Sequence, residues 1–195
     1  SVTNNTTPTI TGTAEADSYI TLLNGVVEIG TATTDSEGNF SVSPTSDLAD
    51  GDYSLTAKVT DSADNESSVS SSISITIDTT APDAPTSLAT SSAITNNATP
   101  TITGTAEANS TITLLTGKIV IGTATTDSEG NFSVTPSTDL AEGQYSLKAK
   151  STDLAGNTSS ESSSISITID TTAPDAPTSL VDISDTNDTT PTITG

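Results

Sequence analysis

The chain has 195 residues, of which 25 are Asp or Glu and 4 are Lys or Arg, giving a formal net charge of −21 at pH 7. It contains no His and no Cys, which excludes Ser–His and Cys–His nucleophile pairs, imidazole acid–base catalysis and thiolate or imidazole zinc sites. Four basic residues cannot neutralise a phosphate backbone, and the apolar runs are too short to cross a bilayer, so we expect neither nucleic acid binding nor membrane insertion.

The composition raises the question of disorder, because hydrophobic residues make up 31% of the chain and aromatic residues 3%. However, Thr and Ser alternate with Ile, Val and Leu along much of the sequence, and this alternation is typical of half-buried β-strands. The sequence therefore predicts an ordered β-sandwich with a thin core.

One sequence unit occurs three times. The motif Thr-Pro-Thr-Ile-Thr-Gly begins at Thr7, Thr99 and Thr190, a period of about 90 residues, which is too long for a solenoid repeat and long enough for a domain. We interpret residues 1–80 as module 1, which lacks its first strand, residues 81–172 as a complete module 2, and residues 173–195 as the first strand and start of a third module. Because the chain begins without Met and stops within a repeat, we expect it to be part of a longer array.

Module 2 shows the predicted elements most completely. In chain order, strands A to G are predicted at 83–89, 99–106, 110–115, 118–125, 131–135, 144–151 and 162–170. Turn-forming residues separate them, and strand G alternates Ile with Ser and Thr. Seven short antiparallel strands predict an all-β, immunoglobulin-like sandwich, and an odd number of strands places entry and exit at opposite ends, so that modules follow one another head to tail.

The corner between strands E and F has a recognisable pattern. Tyr53 and Tyr145 each follow a Leu and a turn Gly, which resembles the tyrosine corner of Greek-key sandwiches, where the hydroxyl bonds to backbone upstream. The predicted core of module 2 consists of Ile102, Ile112, Leu114, Ile121, Phe132, Val134, Leu140, Tyr145, Leu147, Ala149 and the isoleucines of strand G.

These motifs together resemble a known family. Thr-Pro-Thr-Ile-Thr-Gly-Thr-Ala-Glu, Asp-Ser-Glu-Gly-Asn-Phe and Ile-Asp-Thr-Thr-Ala-Pro are similar to the bacterial Ig-like tandem repeats of giant surface adhesins and biofilm-associated proteins. The resemblance covers essentially the whole chain. It implies an extracellular stalk, at the bacterial cell surface or secreted, whose immediate partners are neighbouring modules and which in several members is stiffened by Ca²⁺ at the module junctions.

The carboxylates are predicted to gather at these junctions. In the predicted strand order, the B–C, D–E and F–G loops lie at the end where a module is entered, beside the last strand of the preceding module. Ca²⁺ takes 6–8 oxygen ligands, so we predict ligands at Asp78, Glu107, Asp127 and Asp153 between modules 1 and 2, at Glu15, Asp35 and Asp61 in module 1, and at Asp170 at the end of module 2.

Other interpretations of these acids remain open. Asp35 is also typical of a hairpin turn and Asp47 of a corner, while Asp50, Glu142, Glu37 and Glu129 are better explained as turn residues. The acidic loop at 182–188 could hold a further ion, although it lacks the Gly and the terminal Glu of an EF-hand loop.

Three functions compete. The first is a structural spacer, stiffened by Ca²⁺, that projects an adhesive domain for cell adhesion or biofilm formation; lateral and distal adhesion partners are not identified by the sequence. The second is a module that binds a carbohydrate or protein ligand, which needs exposed aromatic platforms, and only Tyr19 is a candidate. The third is a glycosidase with paired carboxylates, for which neither stacking aromatics nor an apolar pocket is predicted. The sequence favours the spacer and no enzymatic activity.

Overall fold

A computed structural model describes residues 1–178. Module 1 contains the strands β1 (Val2–Thr3), β2 (Ile10–Thr13), β3 (Tyr19–Asn24), β4 (Val27–Thr33), β5 (Asn39–Val42), β6 (Gly51–Thr60) and β7 (Ile73–Ile77). Module 2 contains β8 (Thr86–Thr90), β9 (Ile94–Thr95), β10 (Ile102–Thr105), β11 (Thr111–Thr116), β12 (Ile119–Thr125), β13 (Asn131–Val134), β14 (Gly143–Thr152) and β15 (Ile165–Ile169). The predicted all-β fold of tandem immunoglobulin-like sandwiches is confirmed.

Each module is built from two sheets. In module 2 the sheets have the strand orders β13-β10-β8 and β12-β11-β14-β15-β9, and in module 1 they have the orders β2-β5 and β1-β7-β6-β3-β4. Alternate side chains of the strands enter a separate hydrophobic cluster in each module, as the period-2 pattern predicts.

The predicted strands of module 2 agree with the observed ones. All seven have a counterpart, with ends that differ by no more than about three residues, an uncertainty usual for strand boundaries. The structure adds β9 and shows that predicted strand D, observed as β12, pairs with β11. The core prediction is also confirmed, since the buried cluster contains the predicted residues, with Tyr145 and Ile165 packed against it as half-buried members.

The close approach of a glycine and a phenylalanine explains part of the repeated motif. A Cβ atom on Gly104 would lie 2.6 Å from Cζ of Phe132, and one on Gly12 would lie 2.6 Å from the same atom of Phe40. No side chain fits at that distance, so the Gly of Thr-Ile-Thr-Gly lets the Phe of Asp-Ser-Glu-Gly-Asn-Phe cross the neighbouring strand and fill the core.

Two short parallel pairings connect a two-residue strand near the start of each module to the last strand of that module. β1 runs parallel to β7, and β9 runs parallel to β15. Asp78 N–H donates to the carbonyl of Thr3 at 3.0 Å, and Asp170 N–H donates to the carbonyl of Thr95 at 3.0 Å. The segment that enters each module is therefore bonded to the strand that leaves it.

The start of the predicted third module falls largely outside the described residues. Of residues 173–195, the structure describes 173–178, which are exposed and belong to no strand. The acidic loop predicted as a further ion site, residues 182–188, lies outside the described residues.

The tyrosine corner is present in both modules. The Tyr145 hydroxyl donates to the carbonyl of Ala141 at 2.9 Å, and the Tyr53 hydroxyl donates to the carbonyl of Ala49 at 2.9 Å. Both rings pack against the cores of their modules. The predicted bond from the hydroxyl to upstream backbone is confirmed.

We expect Tyr145→Phe to lower the free energy of unfolding of module 2 by about 1 kcal/mol, because it removes this bond and keeps the ring. Tyr145→Ala should cost about 2–4 kcal/mol, since it also leaves a cavity beside the core. Denaturant-induced unfolding measures both changes, and Tyr19→Phe, at a tyrosine whose surface is 46% exposed, is the control. Equal stability of wild type and Tyr145→Phe would show that water replaces the bond fully.

Candidate functional site: the junction between the modules

Two hydrogen bonds join module 1 to module 2. The side-chain amide of Asn157, in the loop between β14 and β15, donates from Nδ2 to the carbonyl of Asp78 at 2.8 Å. The backbone N–H of Asn4 donates to the carbonyl of Ala155 at 3.1 Å. The loop that contains Ala155 and Asn157 corresponds to the predicted F–G loop. It is one of the three loops predicted to lie at the end where the module is entered.

The burial of equivalent residues supports this contact. Ala155 is 9% exposed, whereas Ala63, its equivalent in module 1, is exposed. Asn157 is half-buried and its equivalent Asn65 is exposed. Because the two loops have the same length and similar sequence, the difference reflects the coverage of the module 2 loop by module 1.

The loop itself is held by a carboxylate. Asp153 Oδ1 accepts hydrogen bonds from the backbone N–H of Gly156 at 2.7 Å and of Asn157 at 2.8 Å, and Asp153 Oδ2 accepts one from Asn157 Nδ2 at 2.9 Å. The Asn157 amide carries two hydrogens. One is directed to Asp153 within the loop and the other to the Asp78 carbonyl in the next module.

The same loop chemistry occurs four times. Every one of these loops has the pattern Asp-x-x-x-Asn, and in each the Asp carboxylate accepts bonds from the backbone and the side chain of the Asn. The pairs besides Asp153 and Asn157 are Asp35 with Asn39, Asp61 with Asn65, and Asp127 with Asn131. These side-chain-to-backbone bonds give the Asp a structural role in every loop.

Hydrogen bonding also shifts the acidity of these groups. At Asp35 and Asp127 the backbone N–H of the Asn lowers the pKa of the carboxyl most, and at Asp61 the side chain of Asn65 does. Burial of Asp153 acts to raise its pKa, but the bonds from Asn157, Gly156 and Ala155 together outweigh it and lower the pKa below its usual value. All four groups are therefore stabilised as carboxylates.

A second carboxylate holds the linker. Asp50, in the corner before β6, accepts bonds from the backbone N–H and the hydroxyl of Thr79 at 3.0 and 2.8 Å and from the hydroxyl of Thr80 at 3.0 Å. The hydroxyl of Thr79 contributes most to lowering the pKa of Asp50. Glu142 binds Thr171 and Thr172 in the equivalent way. The residues that follow each last strand are thus fixed to the corner of their own module.

The far end of the linker carries two buried prolines before β8 begins. Pro82 is buried and Pro85 is fully buried, and each proline has a restricted backbone angle. Only Ala81 lies between Thr80, which is bonded to Asp50, and Pro82, the first buried proline. The connection is short and held on both sides.

The other predicted ligands take part in local bonds. Asp78 Oδ1 accepts from Thr80 N–H at 3.0 Å, and Asp170 Oδ1 accepts from Thr172 N–H at 3.1 Å. Glu15 and Glu107 contribute their backbone carbonyls, which accept from buried Thr hydroxyls, each at 2.6 Å. Glu107 and Asp83 line one surface depression, and Glu15 and Asp61 line another.

Within residues 1–178, no three acidic side chains form a group able to hold a metal ion. Asp78 and Asp153 meet at the junction through the carbonyl of Asp78 and the amide of Asn157, without a shared carboxylate cluster. Ca²⁺ binding at Asp78, Glu107 and Asp153, with Asp127 as a possible fourth ligand, stays a prediction.

Sequence reasoning missed three functional side chains. Asn157 is not among the predicted site residues, and Asp50 and Glu142 are predicted as turn residues. Two signals were present: an Asn follows each of the four loop aspartates by four residues, and Thr-Thr follows each last strand in both modules. The donor at the junction is the neutral amide of Asn157, so a pattern of carboxylates does not reveal it.

The family model described as "Bacterial Ig-like domain" matches residues 1–79 and 81–171. The chain belongs to the bacterial Ig-like domain family. Comparison with curated protein sequences finds no match.

Among solved structures, the fibronectin(III)-like modules of Clostridium thermocellum CbhA are 17% identical with a TM-score of 0.53, and the match covers 86% of this chain and 87% of that chain. A biofilm-associated protein BSP domain is 25% identical with a TM-score of 0.36, covering 89% of this chain and 29% of that one. A tetra-tandem repeat from the extending region of a large adhesion protein is 24% identical with a TM-score of 0.36, covering 85% and 46%. The first likeness supports the sandwich fold of these bacterial Ig-like repeats.

The described part of this bacterial Ig-like chain, residues 1–178, has no helix with the length and apolar character needed to cross a membrane.

The lowered pKa of Asp153 predicts a pH dependence for module 2. A carboxyl whose pKa is lower in the folded than in the unfolded state stabilises the fold above its unfolded pKa, and this contribution disappears as the pH falls through the folded pKa. We therefore expect wild type to be more stable than Asp153→Asn from pH 7 to about pH 5, and the difference to shrink as the pH falls through the lowered pKa of Asp153 in the folded state.

Unfolding midpoints of wild type and variant at each pH measure this difference. Acidification also protonates the other carboxyl groups and reduces the negative charge. This occurs in both proteins, so its effect on stability cancels in the comparison. Asp139→Asn, at an exposed aspartate, is the control and should show no such trend. A difference that grows as the pH falls would contradict the prediction.

Proposed function

We propose that this chain is a length of stalk from a bacterial cell-surface adhesin, a spacer that projects an adhesive domain from the cell for adhesion or biofilm formation. The single observation that carries the proposal is the fixed junction. Asn157 bonds to the carbonyl of Asp78 across the junction, and Asp50 holds the linker at Thr79 and Thr80. A spacer needs this property, because a flexible linker would let the modules fold back and lose reach.

The surface of the described residues favours a spacer over a ligand-binding module. Tyr19 is the one aromatic side chain among the exposed large hydrophobic residues, while Phe132 is buried and Tyr53 and Tyr145 are engaged in the corners. A single tyrosine offers little area for stacking on a sugar ring. The proposed function is therefore mechanical and architectural, without a small-molecule substrate.

An extracellular location is part of the proposal. The chain has no Cys, so oxidising surroundings would not cross-link it, and its rigidity comes from the linker contacts. A net charge of −21 also keeps neighbouring stalks apart and soluble. Both properties suit a protein that extends from a bacterial surface.

Stiffening by Ca²⁺ is proposed as an addition to the direct contacts. It is supported by the excess of acids over bases and by the position of Asp78 and Asp153 on the two segments that meet at the junction. Glu107 lines a surface depression together with Asp83 of the linker. Ca²⁺ would supply positive charge and accept oxygen ligands from carboxylates, carbonyls and water. The residues of this chain would have to provide most of these ligands as carbonyls, since no group of three acids is formed within 1–178.

The fixed junction predicts a narrow distribution of distances between the modules. We expect nitroxide labels at Val26→Cys and Lys118→Cys, equivalent exposed positions in a chain without natural Cys, to give one narrow distance peak in pulsed electron resonance. Asn157→Ala should broaden that peak, because it removes the amide that donates to Asp78.

Asn131→Ala is the matched control for this experiment. Asn131 makes the same loop bonds to Asp127 but is not bonded to module 1, so its removal should leave the peak narrow. A broad distribution in the wild-type protein would contradict both the fixed junction and the spacer function. Equal broadening in both variants would show that loop integrity, and not the bond to Asp78, sets the width.

The Ca²⁺ proposal has its own test. If the ion stiffens the junction, chelator should broaden the same distance peak while the far-ultraviolet β signal is kept, and Asp78→Asn should weaken Ca²⁺ binding in calorimetric titration. Asp47→Asn is the control, because Asp47 lies at the E–F corner and binds Thr6 within module 1. An unchanged peak in chelator would show that direct contacts suffice and would overturn the role of Ca²⁺.

A further inference from the structure

Two equivalent hairpins, β3–β4 in module 1 and β11–β12 in module 2, end in exposed apolar side chains. Val26 and Val27 are 97% and 60% exposed, and Ile119 and Val120 are 67% and 57% exposed. The exposure occurs at the same place in both modules, so it is a property of the repeat. Exposed aliphatic side chains that lie next to one another favour contact with another molecule.

The second strand of each hairpin is also an edge strand. β4 and β12 each stand at one end of a five-stranded sheet. Part of each edge is covered within its own module, because Thr45 N–H donates to the carbonyl of Ile29 and Ser137 N–H donates to the carbonyl of Ile121, both at 2.7 Å. The open edge is therefore confined to the hairpin tips, and an open apolar edge is a template for pairing with another strand. We refer to residues 26–28 as tip 1 and to residues 118–120 as tip 2.

The two tips have complementary sequences. Tip 1 reads Val-Val-Glu and tip 2 reads Lys-Ile-Val. In an antiparallel register that sets Ile119 opposite Val27, the two neighbouring positions also match. Lys118 lies opposite Glu28, and valine lies opposite valine at the third position. Cross-strand pairs of opposite charge and of β-branched side chains both stabilise a sheet.

Other pairings of the tips match less well. Two copies of tip 1, or two copies of tip 2, laid antiparallel about their middle residue would set each charged side chain opposite a valine. A parallel alignment of tip 1 with tip 2 would do the same. The sequences therefore favour unlike tips in the antiparallel direction.

Lys118 is the lysine that is available for such a contact. Lys58 pairs with Glu66 at 3.1 Å, and Lys148 and Lys150 pair with Glu161 at 2.9 and 3.9 Å. Within residues 1–178, neither Lys118 nor the glutamate of tip 1 has an opposite charge within 4.0 Å. Both side chains are exposed, so each can meet a charge on a second molecule.

We propose that tip 1 of one copy of this chain binds tip 2 of a second copy, with β4 and β12 antiparallel and Lys118 paired with Glu28 across the contact. Open backbone groups supply hydrogen bonds, and the aliphatic side chains supply contact area. Three residues on each side bury far less than the roughly 1,200 Å² of a stable interface, so one pair of tips associates weakly and reversibly. Repetition of the contact along an array adds avidity.

The antiparallel direction determines which molecules meet. In a head-to-tail array the equivalent strands of successive modules run the same way, so antiparallel tips belong to copies that run in opposite directions. Stalks on one cell run outward together, whereas stalks on two facing cells run toward each other. The contact would thus join facing cells, a step that rests on the proposed function as a spacer.

Disulfide trapping tests the contact, because the chain has no natural Cys. Val27→Cys and Ile119→Cys are mixed in reduced and oxidised glutathione, where thiol–disulfide exchange lets the favoured dimer accumulate. We expect dimers between the two variants to exceed those of either variant alone by at least about tenfold, a factor that corresponds to roughly 1.4 kcal/mol. Val27→Cys mixed with Ala49→Cys, at an exposed alanine, is the control and should show no excess.

Two charge reversals identify the register. Glu28→Lys, added to Val27→Cys, should remove the excess because two lysines then face each other. The same change reduces the general repulsion between copies of charge −21, so a loss of dimers has another cause. Lys118→Glu, added to Ile119→Cys, should restore the excess when both reversals are present, since opposite charges face each other again. Glu37→Lys, at an exposed glutamate in the turn between β4 and β5, is the matched control.

Circular dichroism confirms that each variant is folded, and the outcomes then separate. An excess that one reversal removes and the second restores supports the proposal. Dimers in the proportion of random collisions overturn it, and so does an equal excess with Ala49→Cys. An excess that both reversals leave unchanged overturns the antiparallel pairing of the tips. None of these outcomes depends on the width of the distance distribution at the junction, so failure here is distinguishable from failure of the spacer function.

Discussion

The side-chain amide of Asn157 is the interaction on which the arrangement of the two modules depends. Its two N–H bonds point in different directions, one to the carboxylate of Asp153 and one to the carbonyl of Asp78. The hydrogen bond to Asp153 fixes the amide within its loop. The hydrogen bond to the Asp78 carbonyl can therefore form without further loss of side-chain conformational freedom. This pre-organisation lets one neutral hydrogen bond contribute to orienting a whole domain.

Much of the fold could be predicted because its signals are local and repeated. Alternation of Ile with Ser and Thr located β15, and comparison of two copies located the core residues and the corner Tyr145. The two-residue strand β9 could not be found, since Ile94–Thr95 is too short to show a period. Its pairing with β15 depends on tertiary contacts that the sequence does not encode locally.

The candidate site was predicted less completely, for a physical reason. The sequence predicts Ca²⁺ ligands because the strand order places several acidic loops at one end of the module, and the Asp153 loop does contact module 1. What a carboxylate binds, however, depends on which donors lie within about 3 Å. Backbone N–H groups in the loops are close to Asp127 and Asp153 and are invisible in a pattern of side-chain types.

The same chemistry explains how a chain with 31% hydrophobic residues forms two sandwiches. Buried hydroxyls replace part of the apolar core: Thr126 donates to the carbonyl of Glu107 at 2.6 Å, and Ser162 Oγ accepts from Ala149 N–H at 2.9 Å while donating to the carbonyl of Ser163. Each bond satisfies a backbone group that would otherwise be buried without a partner. Serine and threonine thus hold irregular segments against the sheets where longer strands are absent.

The parallel pairing of β1 with β7 has a mechanical consequence. When tension acts on the two ends of a module, the strand that enters and the strand that leaves are pulled in opposite directions along their common axis. The backbone hydrogen bonds of Thr76 with Ser1 and of Asp78 with Thr3 are then loaded together in shear. They share the force, so they do not break one after another as they would if the strands were peeled apart. The module would therefore resist extension until several bonds rupture at once, and the force at which it unfolds would depend on a patch of two-residue strands.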